Sequence, residues 1–262
     1  MTAIDQYRNR MKAYGENVHD DSLRRETRML HTKMRNTLSY QEVKMWSCED
    51  GVDIDDPERF NLFTERKLAV INSDNLNEKY IYSLPGEDIE HGSLIEWMGN
   101  YWIVTEKDAN TTVYSRAMML QCNHLLRWVA GDGTLHCQWC VVEDGTKYLT
   151  GEFEDRNFVV TRGDSRIYLS IARNKYTTKF ARENRFLIDD EASPIKIAYL
   201  LSKPLKLGWS FNGKGVYKFV LQEVQSTKYD NHELGIADYY RYYPADGGEP
   251  IQIPSDERTG WL

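Results

Sequence analysis

Along most of this chain, apolar residues alternate with polar ones at a period of two. The runs are short and bounded by glycine, asparagine, aspartate or proline. Only near the beginning do apolar residues fall at helical spacing. Leu23, Leu30 and Met34 share a face with Thr27, and Leu38 extends the stripe, which predicts a helix up to about that point. Asp20-Asp21-Ser22 supplies N-cap chemistry and Arg35 a basic last turn, both with the sign the helix dipole favours. Gly15-Glu16-Asn17 separates this helix from a shorter one over about Ile4 to Tyr14.

The period-two pattern is densest from Gly86 to Trp128. Ser93 to Met98 and Tyr101 to Val104 read as two strands around a Gly99-Asn100 reversal. A longer strand follows over Thr112 to Cys122, apolar on both faces at Met118-Met119-Leu120, so it is expected to be central and covered on both sides. Strands are also predicted at Arg66 to Asn72, Lys79 to Leu84, Leu135 to Val142, Asn157 to Thr161, Arg166 to Ala172, Arg185 to Ile188, Ile195 to Ser202 and Val216 to Val224. Tyr176 to Arg182 reads as one helical turn. No proline lies between Pro85 and Pro194, which suits uninterrupted sheet. Val43 to Asn61 reads as polar and irregular. The block from Ser93 to Asn123 is loosely echoed by the one from Arg185 to Gln225, each ending in a long strand that begins Val-Tyr.

The expectation is a mainly β chain with two small antiparallel barrel-like modules, a helical arm before them and an extended tail after them. The boundaries fall at residues 1–45 for the arm, 46–130 and 131–225 for the modules, and 226–262 for the tail. The tail is rich in tyrosine, proline and glycine. Its aromatic density favours docking, on its own domain or on a partner, over free disorder.

Charge changes this picture in one respect. The formal net charge of the 262 residues is −7, which argues against bulk attraction to nucleic acid. Up to Trp46, however, nine Lys/Arg face six Asp/Glu, a balance of +3, while the remainder carries 24 against 34, or −10. A basic arm sits on an acidic body. Arg24, Arg25, Arg28, Lys33 and Arg35 are either the solvated face of an ordinary helix or the face of an arm that docks on an acidic partner surface or on nucleic acid.

Hydrophobic residues at 41% supply enough apolar content for a packed core. No run approaches the roughly 20 apolar residues of a membrane helix, and no signal-peptide core is visible, so a cytosolic chain without membrane contact is expected. Four cysteines match cytosolic usage rather than a disulfide framework.

Candidate chemistry is sparse. Cys122, His124, His136, Cys137 and Cys140 contain zinc-ligand residue types. Strand geometry points Cys137 and Cys140 to opposite faces, so plain core cysteines are the favoured reading. Asp53-Ile54-Asp55-Asp56 has alternate carboxylates but lacks the glycine and distal glutamate of a calcium loop. Phosphate-loop, dinucleotide, nucleophile-elbow and zinc-protease motifs are missing. The expectation is therefore no enzyme, no cofactor and no metal. Aromatic residues at 12% serve a β core or a sugar-binding face.

One stretch carries a resemblance. Gly92-Ser93-Leu94-Ile95-Glu96-Trp97-Met98-Gly99-Asn100-Tyr101-Trp102-Ile103-Val104 resembles the signature of head–tail joining (head-closure, or stopper) proteins of tailed bacteriophages. In these a glycine, an acidic or serine residue and an aromatic precede a Tyr-Trp-hydrophobic-Val strand. A wider likeness to phage virion proteins includes the basic helix, Cys122, Asn123, Leu125 and Trp128, and the later Cys140. The resemblance implies a structural protein of the virion neck, assembled in the host cytoplasm. It would form a ring, usually of twelvefold symmetry, that joins portal to tail and closes or continues the DNA channel without binding DNA tightly. In that reading Arg24, Arg25, Arg28, Lys33 and Arg35 meet the portal, an adaptor ring or a neighbouring subunit. Tyr239, Tyr240, Tyr242 and Tyr243 meet the tail or a neighbour. The alternatives are a tail terminator or adaptor, and a carbohydrate-binding host-recognition module.

Overall fold

The computed structural model describes residues 2–14, 18–49, 53, 55–109, 113–145, 166–206 and 210–244. The expected strand at Asn157 to Thr161 lies outside them, as does the tail beyond residue 244. The chain forms two compact units. One holds Met1–Trp46 and Phe63–Gln121, the other Ser47–Leu62 and Cys122–Leu262.

The first unit opens with α1 (Ala3–Tyr14) and α2 (Val18–Arg35). Thr2 and Asp5 cap α1 reciprocally: the Asp5 amide donates to Thr2 Oγ1 (3.3 Å) and the Thr2 amide to Asp5 Oδ2 (2.9 Å), which satisfies two otherwise orphaned donors. Helix α2 starts earlier than its sequence signal. Asp20 and Asp21 therefore lie in its first turn instead of capping it, where they still face the positive end of the dipole.

Six strands follow: β1 (Tyr40–Trp46), β2 (Thr64–Asn72), β3 (Glu78–Tyr82), β4 (Leu94–Trp97), β5 (Asn100–Lys107) and β6 (Arg116–Gln121). They close into an antiparallel barrel in the order β1-β2-β3-β6-β5-β4. The barrel closes because β1 pairs with β2 along one edge and with β4 along the other, Met45 opposite Thr64 and also opposite Ile95. Closure leaves no unpaired edge. Val43, Met45, Leu68, Val70, Ile81, Ile95, Trp102, Val104, Ala117 and Met119 fill the interior. Their neighbours along each strand point to the other face, as the pleat requires, though several of these, among them Trp46, Ala69, Leu94 and Ile103, are buried as well. Strand β6 is central in the ladder, yet only Ala117 and Met119 are buried; Met118 and Leu120 are half-buried. The cover expected on both faces of this strand is therefore partial.

The β4–β5 hairpin turns at Met98-Gly99, one residue before the expected Gly99-Asn100. Trp97 pairs with Asn100, and both central residues have positive φ, 51° and 74°. That is the backbone of a type I′ turn, which matches the twist of the flanking strands. The hairpin β12 (Ser210–Phe211) to β13 (Lys214–Val224) makes the same turn with Asn212-Gly213, φ 51° and 86°. There the sequence is the favoured one; at Met98 it is not.

The second unit is built from β7 (His124–Val129), β8 (Leu135–Asp144), β9 (Arg166–Ala172), β10 (Arg185–Ile188), β11 (Ile197–Leu205) and β13, with β12 paired only to β13. The sheet runs β10-β11-β13-β9-β8-β7, and β7 returns beside β10, so this barrel is nearly closed. Its core joins Leu126, Trp128, Cys140, Leu169, Ile171, Phe186, Tyr199, Leu201, Tyr217, Phe219 and Leu221. A short 3₁₀ turn at Thr177–Lys179 matches the single helical turn expected there. Pro204 lies in β11 beyond a register shift after Leu201 and beyond the reach of β10, where a missing donor costs no ladder bond.

The observed division differs from the expected break at 130/131. Strand β7 takes all its ladder bonds from β8 and none from β6, so the first unit ends at Gln121. Residues 47–62, expected as irregular chain of the first module, belong to the second unit. Three strands were illegible: β1 and β7, because YQEVKMW and HLLRWV lack clean alternation, and β12, because two residues carry no period.

Met98 pays the usual cost of a side chain in left-handed backbone, and it is exposed. Replacing it with asparagine creates the Asn-Gly pair this turn favours. Met98→Asn is expected to raise unfolding stability by about 0.5–1 kcal/mol, read as a higher midpoint in denaturant unfolding.

Candidate functional site

The residues singled out for partner binding fall on two separate elements. The first is α2. No described side chain of α2 is buried, and the described side chains of α1 are exposed. Leu23, Thr27, Leu30 and Met34 form a stripe that is only half-covered, and Met29 is 49% exposed. Arg24, Arg25, Arg28, Lys33 and Arg35 are all exposed. Arg25 pairs with Asp21 four residues earlier (2.6 Å), and the Thr27 hydroxyl donates to the Leu23 carbonyl (2.7 Å). An isolated helix of this length is marginal in water, and α2 has only this half-covered stripe and no fully buried described side chain. Its basic residues thus lie on the exposed face of a thinly covered helix.

At the foot of the arm, Arg35 and Tyr40 line a groove of about 530 Å³ that continues over Glu42, Lys44, Lys67 and Glu96. Four of its charged groups are paired with one another: Lys67 with Glu42 (2.7 Å) and Lys44 with Glu96 (3.2 Å). Burial raises the Tyr40 phenol first, the Glu87 carboxylate adding to it. Such exposed pairs contribute little, and the groove presents no convergent set of reacting groups.

The second element is the tyrosine segment. Tyr239–Tyr242 form one helical turn, α4. Tyr239 stacks on Tyr243 (4.9 Å between centroids), and the Arg241 guanidinium lies over Tyr229 (5.0 Å). The Tyr243 hydroxyl donates to the Gly133 carbonyl, and the Tyr242 ring borders Gly133. Of the two placements open to these tyrosines, packing on their own unit is the one seen. The tyrosines belong to the second unit and the basic residues of α2 to the first.

An ion cluster holds this segment down. Arg185, on β10, donates through Nη1 to Asp230 Oδ1 (2.9 Å), Asp238 Oδ1 (3.1 Å) and Thr227 Oγ1 (3.0 Å). Its Nη2 donates to Asp230 Oδ2 (2.8 Å) and the Gln225 carbonyl (3.2 Å). The Asp230 side chain is wholly buried and Arg185 nearly so. Asp230 also accepts from the amides of Thr227 (2.7 Å) and Asp238 (2.9 Å). Burial works to raise the Asp230 pKa, but the Arg185 and amide hydrogen bonds outweigh it and hold the carboxyl below its ordinary value. A planar five-donor fork is suited to such a site.

A second buried polar group uses the supposed zinc and calcium residues. His136 Nδ1 lies 3.0 Å from Asp53 Oδ2, and the Cys137 amide (3.3 Å) and thiol (3.2 Å) donate to Asp53 Oδ1. On the other side, His136 Nε2 meets Thr134 Oγ1 (2.9 Å), and the ring stacks on Tyr176 (4.1 Å). Asp56 caps the short helix α3 (Pro57–Phe60). These carboxylates therefore shape the 47–62 segment. Burial pushes the Cys122, Cys137 and Cys140 thiols up, with Asp53 adding to the effect on Cys137. Thiols held in that state are poor nucleophiles. Among the described residues no three His, Cys, Asp or Glu side chains gather as a metal-binding group, and no helix is long and apolar enough to cross a membrane. The Asp53 cluster was missed because 83 residues separate Asp53 from His136; a buried aspartate has no local signal.

With this geometry in hand, comparison with known proteins returns no matching family model, no matching curated protein and no matching solved structure.

Arg185→Ala leaves Asp230 buried without its counter-charge. The expected cost is about 3–5 kcal/mol, with faster amide exchange over residues 225–244. The folded-state pKa values of Asp53 and Asp230 are both depressed. Their stabilisation is therefore complete above the unfolded carboxyl value of about 3.9 and is lost as pH falls through the folded values. Acid titration of stability should show this loss, reduced in Asp53→Asn and Asp230→Asn.

Proposed function

We propose that this chain is a non-enzymatic structural protein of the tailed-phage neck. It forms a ring that joins the portal end of the head to the tail and continues or closes the DNA channel. The observation that carries the reading is α2: a cationic helix of 18 residues, none of whose described side chains is buried. Such an element makes physical sense when another protein covers it. In this reading Arg24, Arg25, Arg28, Lys33 and Arg35 meet the portal, an adaptor ring or a neighbouring subunit.

Two further features support it. The residues that resemble the head–tail joining signature form one hairpin, β4–β5, in the wall of the closed barrel. The acidic body, −10 beyond Trp46, suits a channel through which DNA slides, since like charge opposes phosphate binding. Tyr239, Tyr240 and Tyr242 are only half-buried, and Tyr243 is exposed. They keep apolar surface available to the tail or a neighbour while anchored to their own unit.

Reversing charge along the arm (Arg25→Glu, Arg28→Glu, Lys33→Glu) is expected to leave DNA-filled heads and free tails unjoined in electron micrographs of assembling particles. Joining at the wild-type frequency, or absence of the protein from the neck in immunolabelled virions, overturns the reading.

A further inference from the structure

One open end of the second barrel has the complementary chemistry to α2. Strand β8 ends there at Asp144, β10 is followed there by Asp189, Asp190 and Glu191, and β13 brings Glu223 directly opposite Tyr199 of β11. Asp144, Asp190, Glu191 and Glu223 are exposed. The Tyr199 phenol is raised first by burial and then by Glu223, Asp189 and Asp144 acting together, so these carboxylates converge on one end. Of the cations near this end, Lys196 is buried and donates its ammonium to the Asp190 carbonyl (3.1 Å), and Arg166 lies in β9 opposite Gln222, so the carboxylates outnumber the exposed cations.

The same end carries apolar surface. Ile195 is 70% exposed and Ile197 39%, although Ile197 pairs with the buried Ile188. Helix α2 offers the converse: Arg28 and Lys33 exposed beside the half-covered Leu30 and Met34, with exposed Arg35, in hydrogen-bond contact with Tyr40, at its end. Charge and apolar surface match on both sides, whereas two cationic arms facing each other would repel.

We infer that α2 of one copy docks on this acidic, isoleucine-lipped end of the second unit of another copy, assembling the chain head to tail. A heterologous contact of this kind joins each subunit to the next and closes into a ring when the rotation allows. The inference rests on the ring-forming reading above and supplies its subunit contact.

A charge-swap experiment on the full chain tests it by sedimentation equilibrium. One variant carries Arg28→Glu and Lys33→Glu, the other Asp189→Lys and Glu223→Lys, each checked for wild-type thermal unfolding. Wild type should self-associate, more weakly as salt rises. Each variant alone should associate at least about tenfold more weakly. An equimolar mixture of the two should recover association, since each reversed face meets its complement. A wild-type chain monomeric at all concentrations overturns the inference, as does association that neither variant weakens or a mixture that recovers nothing. Rings that form with both variants would refute this contact while leaving the neck reading intact. Recovery in the mixture with no protein at the neck of virions would do the reverse.

Discussion

The pairing of β1 on both of its edges is the constraint on which the first unit depends. An antiparallel sheet that stops at an edge exposes a row of unsatisfied amides and carbonyls. Tyr40–Trp46 removes that liability by bonding to β2 and β4 together. Once the ring of strands is closed, inward positions are determined by the pleat. Val43, Met45, Leu68, Ile81, Trp102 and Met119 meet in one core as a consequence. The β4–β5 hairpin accepts an unfavourable residue, Met98, at positive φ because the closed ladder on either side holds it there.

The second unit depends more on buried polar groups. Its sheet is nearly closed, and two connections that carry little regular structure are fastened to it by carboxylates. Asp53 ties the 47–62 segment to β8 through His136 and Cys137. Asp230 ties the 225–244 segment to β10 through Arg185. In each case both carboxylate oxygens are occupied, which is what makes a buried charge tolerable. The residue types that invite a metal or a thiol mechanism are consumed in this way.

In the proposed reading, function is a matter of surfaces. The two barrels bury their apolar faces, while α2 has a half-covered stripe and no fully buried described side chain. The contrast directs attention from cavities to the arm and to the acidic end of the second barrel. In that reading each surface serves as one side of a subunit contact, combining charged side chains with exposed or half-covered apolar ones.

Much of the fold was legible in sequence, and the limits have physical causes. Period-two runs such as Arg166–Ala172 and Val216–Val224 declared themselves because one face of each is buried in the core while the other is exposed over part of its length. Helix α2 declared itself by its three-and-four spacing and its charged ends. Strand β1 did not, because Gln41, Glu42 and Lys44 mask its alternation; β7 did not, because its apolar residues are adjacent. The unit boundary was shifted for the same reason, since ladder partners are chosen in three dimensions.

The sequence by itself determined the β-rich class, the paired modules, the basic arm and the tyrosine segment, all of which follow from local periodicity and composition. Only the tertiary structure decided that the first barrel closes, that Asp53 meets His136, that Arg185 holds Asp230, and that the tyrosines lie against Gly133. Those outcomes depend on contacts between residues tens of positions apart, and side-chain identity along the chain carries no record of which distant partner will satisfy it.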